Sequence, residues 1–112
     1  MGKVEKYQNI IVELLKKHAA YKPVNIEDAE RQVIADTVRN HFQLVTIGWE
    51  KQRFVHNCSF HFDIKGEKIW IQQNWTDIDI AKELEEMGVP KSDIVLGFQP
   101  PKYRSFTGYA EA

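Results

Sequence analysis

The stretch Phe54 to Ile64 constrains this chain more than any other part of it. At period two it places Phe54, His56, Cys58, Phe60, Phe62 and Ile64 on one side, and Val55, Asn57, Ser59, His61 and Asp63 on the other. One oily face and one mostly polar face predict a strand of an antiparallel sheet that is packed against helices on one side. Lys65, Gly66 and Glu67 follow as a tight turn, with Gly66 able to take positive φ. Beyond the turn, Ile69 and Ile71 are expected beside Phe62 and Phe60 on the oily face, leaving Trp70 and Gln72 on the other. A tryptophan on the polar face needs cover from a helix edge, the C-terminal segment or a partner chain.

The rest of the chain supplies the layers around that strand. Val4, Tyr7, Ile10, Ile11, Leu14, Leu15 and His18 form a helical stripe, which predicts an amphipathic helix from Lys3 to His18. Tyr21 to Glu30 reads as a loop; Arg31 to Thr37 and His41 to Trp49 read as strands linked through Val38 to Asn40. Thr76 is the expected N-cap of a second helix, with Asp77 and Asp79 in its first turn and Gly88 at its end. Ile94 to Phe98 is a buried strand or core-facing segment. Pro100 and Pro101 exclude a regular helix and favour an extended tail. The fold class expected is therefore α+β in a single domain over residues 1–112: an N-terminal helix, an antiparallel meander of about four strands, a second helix, and a short C-terminal strand or extended tail.

Composition narrows the function classes. A chain of 112 residues with a net charge of −1 has neither the disorder-prone charge excess nor the basic excess of a strong nucleic-acid binder. Its single cysteine excludes an intrachain disulfide and a multi-cysteine zinc site. The N-terminus has no apolar signal core, Lys6 breaks the myristoylation pattern, and no segment approaches a membrane span, so a cytoplasmic protein is expected.

Few residues suggest chemistry. His61 and Asp63 share a strand face and could join a metal or acid-base site, but two residues are not a site, and a hydrogen-bonded or solvated pair is the expected reading. Cys58 and His56 fall on the apolar face as a buried thiol beside a satisfied histidine, and Cys58 and His61 have opposite parity, which disfavours a dyad. His18 and His41 stand isolated, the first at a helix interface and the second at a turn. Gly66, Gly88 and Gly97 are scattered and form no phosphate loop, so no cofactor is expected. The tail offers more: the Arg104 fork and the aromatics Tyr103, Phe106 and Tyr109, with Trp70 on the polar sheet face, are suited to a protein interface. The bland reading is that these aromatics fold back to finish the core, and both hold together if the tail completes a homodimer. Lys and Arg residues are interspersed with acids, which disfavours direct DNA binding without excluding it.

The hairpin from Asp63 to Trp70 and the run Val89-Pro90-Lys91-Ser92-Asp93-Ile94-Val95-Leu96-Gly97-Phe98-Gln99-Pro100-Pro101 resemble the XisI family, the excision controlling factors of the fdxN element in cyanobacteria. Trp49, Lys68 to Gln73 and Arg104 also look like family positions, and the resemblance spans nearly the whole chain. It departs at Glu50-Lys51 and Gly66-Glu67, where Asp-Gly turns are common, and at Gln99, often a histidine. An amide there cannot act as a general base and is a poor ligand, which leaves Gln99 as a partner-contact candidate. The resemblance implies an accessory, non-enzymatic role in programmed DNA excision, pairing with an XisH-like protein alongside a site-specific recombinase. The alternatives are a direct DNA-binding directionality factor and a small enzyme using His61 and Asp63.

Overall fold

The computed structural model describes residues 2–21 and 27–112. Helix α1 (Lys3–Ala19) crosses one face of a five-stranded sheet formed by β1 (Glu27–Asp36), β2 (His41–Glu50), β3 (Arg53–Lys65), β4 (Lys68–Asn74) and β5 (Ile94–Leu96), in the spatial order of the sequence. Neighbours from β1 to β4 are antiparallel, while β5 runs parallel to β4 after the crossover through α2 (Ile80–Glu86). The expected α+β architecture is observed, with β5 as the C-terminal strand. Of the segment expected as a loop, Glu27 and Glu30 instead pair with Trp49 and Ile47 of β2 across an irregularity at Asp28 and Ala29, and residues 22–26 lie outside the described residues.

The helical stripe does what its spacing predicts. Tyr7, Ile11, Leu14, Leu15 and His18 are buried against Phe42, Leu44, Phe60, Phe62, Ile69 and Ile71, and Ile80, Leu84, Val89 and Ile94 close the core from the α2 side. Two polar anchors complete that packing. The Tyr7 hydroxyl donates to the buried Asp93 carboxylate, which Lys3 also reaches at 2.8 Å, and His18 and Lys17 both meet Glu83 of α2 at 3.0 Å. Arg31 lies against the end of α1, donating to the carbonyls of His18 and Tyr21 at 2.8 and 2.7 Å. Among the described residues no fully buried side-chain nitrogen or oxygen is left without a partner.

The parity expected for β3 fails halfway along it. Leu44 faces Phe60 while Val45 faces Cys58, so Ser59 is an extra residue, a β-bulge. From Phe60 to Ile64 the even positions face the core as expected. Before Ser59 the faces exchange: Val55 is buried, whereas Phe54, His56 and Cys58 share the open face with Trp49, Ile47 and Val45. Phe54 is 52% exposed and meets Trp49 edge-on at 5.1 Å. Cys58 and His56 therefore do not belong to the oily face, and Cys58 shares a face with His61. A second bulge in β4 lets Gln73 face His61 and Ile71 face Phe62, turning Gln72 as well as Gln73 to the open side.

Three local readings also change. The β3–β4 turn contains only Gly66 and Glu67, at φ 56° and 61°, so Ile69 pairs with Ile64 and Ile71 with Phe62, not with Phe62 and Phe60. Thr76 does not cap α2: its hydroxyl is used in a turn with Asn74 and Ile78, and Asp79 caps the helix by accepting from the Lys82 amide. Helix α2 ends at Gly88 (φ 101°) as expected, with the Val89 amide bonded back to the Leu84 carbonyl. The tail is not extended, because Pro101 opens a 3-10 turn over Pro101–Phe106, a first-turn position where its missing N–H costs nothing.

Glu67 holds a left-handed conformation that a Cβ-bearing residue disfavours. Replacing it with glycine removes that penalty and adds unfolded-state entropy, for a net gain of about 0.5–1 kcal/mol. Thermal or urea unfolding of Glu67→Gly checks this; unchanged or lower stability contradicts the turn geometry.

Candidate functional site

The face of the sheet away from α1 carries the groups that the core does not use. His61 and Asp63 lie two apart on β3, and β2 places His41 directly opposite Asp63. His41 Nδ1 and His61 Nε2 approach Asp63 Oδ1 at 2.7 and 2.9 Å, and Gln72 Nε2 donates to Asp63 Oδ2 at 3.1 Å. A carboxylate cannot donate, so both imidazoles present N–H groups to it. Asp63 is buried, His61 is half-buried and His41 is exposed at the start of its strand. His41 was expected to stand alone at a turn; in the fold it joins the His61–Asp63 pair.

The bulges produce this convergence. Continuing the register set by Glu50 and Arg53 would bring His41 opposite Phe62, and the extra residue Ser59 brings it opposite Asp63 instead. The extra residue in β4 likewise supplies Gln72 to the other carboxylate oxygen. Gly97 fits this arrangement by packing: a Cβ there would lie 2.4 Å from Gln72 Oε1 and 3.2 Å from the Ile71 carbonyl oxygen. Burial alone would raise the Asp63 pKa, but hydrogen bonds from His41, His61 and Gln72, together with the His61 charge, hold it below the usual carboxylate range.

The C-terminal segment covers the edge of the same face. Trp70 is half-buried, with Lys65 Nζ 4.9 Å and Arg104 Cζ 5.1 Å from its ring centroid. Arg104 also donates to the carbonyls of Gln99, Gly97 and Glu111, so its fork ties the 3-10 turn to the end of β5. Tyr109 packs against the core and donates to Glu85 at 2.7 Å; burial and that carboxylate push its pKa up to about 12. Trp70, Arg104, Tyr109 and the Gln99 carbonyl are thus engaged within the chain, whereas Tyr103 and Phe106 stand 51% and 83% exposed. A separate crevice of about 440 Å³ between α1 and α2 is lined by His18, Arg31 and Glu83, whose polar atoms already bond one another or the backbone.

Because the folded-state pKa of Asp63 is depressed, its contribution to stability is present above the unfolded carboxyl value and is lost as pH falls through the folded one. Asp63→Asn should therefore cost about 1–3 kcal/mol at neutral pH. The gap to the parent should begin to narrow as pH falls below the ordinary carboxyl value of about 4 and close only below the depressed folded-state value; a gap independent of pH would show that the charge on Asp63 is not what stabilises the cluster. Arg104→Ala should cost about 1–3 kcal/mol and speed amide exchange from Gly97 to Glu111, with lysine failing to restore the fork. Unchanged exchange in that segment would show that Arg104 does not hold the turn.

Residues 1–111 match the family described as XisI protein. A comparison with curated proteins finds no match. Among solved structures, the chain is similar to a XisI-like protein from Anabaena variabilis, with 47% identity and a TM-score of 0.89 over 97% of this chain and 99% of that one. It is also similar to the fdxN element excision controlling factor XisI from Anabaena variabilis, with 29% identity and a TM-score of 0.83 over 99% of this chain and 100% of that one. A family match over residues 1–111, joined to shared topology over nearly the whole chain, establishes that this protein belongs to the XisI family.

Proposed function

We propose that this XisI-family chain is a non-enzymatic accessory factor in programmed DNA element excision, and that it acts by binding and controlling an XisH-like protein partner. One solved relative is named as an excision controlling factor of the fdxN element. The observation that carries the mode of action is the C-terminal turn. Tyr103 and Phe106 project into solvent from a short 3-10 turn that Arg104 fastens to β5, and Phe98 beside it is 48% exposed. Rigid aromatic side chains with little conformational entropy to lose are the groups that most often dominate protein interfaces.

Charge supports a protein partner over DNA. Arg39 and Arg53 pair with Asp36 and Glu50 at 3.3 and 3.4 Å, Arg31 is turned inward onto α1, and Arg104 is committed to backbone carbonyls. Such local neutralisation takes the arginines out of the clustered positive field that backbone-phosphate binding needs. The His61–Asp63 pair also suits positioning better than catalysis, since a carboxylate held below its usual range is a weak general base. The factor would bind the XisH-like partner first, and the site-specific recombinase would respond to that complex.

Replacing Tyr103 and Phe106 together with serine should weaken binding to the XisH-like protein of the same genome by about 2 kcal/mol or more, roughly thirtyfold, with far-ultraviolet dichroism unchanged. Equal affinity in the double variant would move the interface elsewhere. Salt-dependent binding to element-end DNA, lost on neutralising Arg53, would replace this reading with the DNA-binding one.

A further inference from the structure

We infer that His41, His61 and Asp63 form a binding site for a divalent first-row transition cation of the zinc class on the open face of the sheet. The three donor atoms, His41 Nδ1, His61 Nε2 and Asp63 Oδ1, all lie within 4.8 Å of one another. A tetrahedral ion with ligands at about 2.0–2.2 Å holds its donors roughly 3.3–3.5 Å apart. The nitrogen–oxygen separations of 2.7 and 2.9 Å need to open by less than an ångström to admit one. Two donors come from alternate positions of β3 and the third from the residue directly across on β2, so all three side chains leave the same face of the sheet.

Charge gives a second, independent reason. Asp63 is 7% exposed, and among the described residues its ion-pair partners are the two histidines, with no lysine or arginine. A buried carboxylate normally has a permanent cation beside it or binds a metal. Imidazole–carboxylate donor sets suit zinc, cobalt, nickel or ferrous iron better than calcium or magnesium, which favour oxygen alone. The surroundings fit as well. Gln72 holds Asp63 Oδ2, which leaves Oδ1 directed at both imidazoles, and the close approach of Gly97 confines the Gln72 carboxamide. With His41 half exposed to solvent on its side chain, the remaining coordination position faces water.

Cobalt titrated into the metal-stripped full chain tests this, read by its visible d–d absorption and by equilibrium dialysis. The expected result is saturable binding of one Co²⁺ per chain, displaced by Zn²⁺ and without thiolate charge-transfer absorption. His41→Gln and His61→Gln should each weaken binding by about tenfold or more, as should Gln72→Leu, which acts by positioning Asp63. Cys58→Ser and His56→Gln should leave affinity unchanged. His41 lies exposed at the start of β2, so its variant keeps the fold and decides the matter if His61→Gln does not. Absence of saturable binding by either ion, or affinity indifferent to His41→Gln, overturns the inference; so does equal loss on changing Cys58 or His56.

Discussion

The bulge at Ser59 is the constraint on which the rest of the structure depends. It lets β3, the middle strand of the sheet, serve two faces with one sequence: Phe60, Phe62 and Ile64 go to the core under α1, while Val55, on the other side of the bulge, is also buried. An unbroken strand would put Phe54, His56 and Cys58 under the helix together with the phenylalanines. The bulge instead keeps the histidine and thiol out of the core, and the same extra residue slides His41 opposite Asp63. Core packing and the polar cluster are therefore two consequences of one local event.

The two faces differ in how completely they are satisfied. On the helix side apolar contacts are sealed by polar anchors between distant parts of the chain, Tyr7 with Asp93 and His18 with Glu83, each joining α1 to the C-terminal half. The charges and hydroxyls there are spent on holding elements together. On the open side His41 of the cluster around Asp63 and the Trp49–Phe54 pair remain accessible, as do Tyr103 and Phe106 on the tail. Function in a small domain of this kind is expected on the side where the fold leaves chemistry unspent.

Much of this architecture is legible in the sequence, because it rests on local chemistry. The α1 stripe, the Gly66 hairpin and the Gly88 helix end each follow from periodicity or from one residue's backbone preference, and of the segment Ile94 to Phe98 expected to be buried, Ile94–Leu96 forms the strand while Phe98 is 48% exposed. What escapes is whatever depends on register. A bulge has no reliable signature in a single strand, so parity misplaces Phe54, His56 and Cys58 and hides His41 from its partners. Thr76 and Asp79 are both competent caps, and the choice falls to Asp79 because Asn74 engages Thr76 in the preceding turn. Two adjacent prolines forbid a helix interior, yet Pro101 can still begin a 3-10 turn. For the candidate interface, residue type points to the tail, but only the packing separates exposed Phe106 and Tyr103 from Arg104, Tyr109 and Trp70, which the chain uses for itself.

The mode of action proposed for this XisI-family protein is binding of a protein partner. Native mass spectrometry of the full chain mixed with the XisH-like protein of the same genome, with and without element DNA, tests that binding. A defined complex of the two proteins formed without DNA is the predicted result. Two separate proteins that associate only when DNA is added would contradict it, and would place recognition on the nucleic acid.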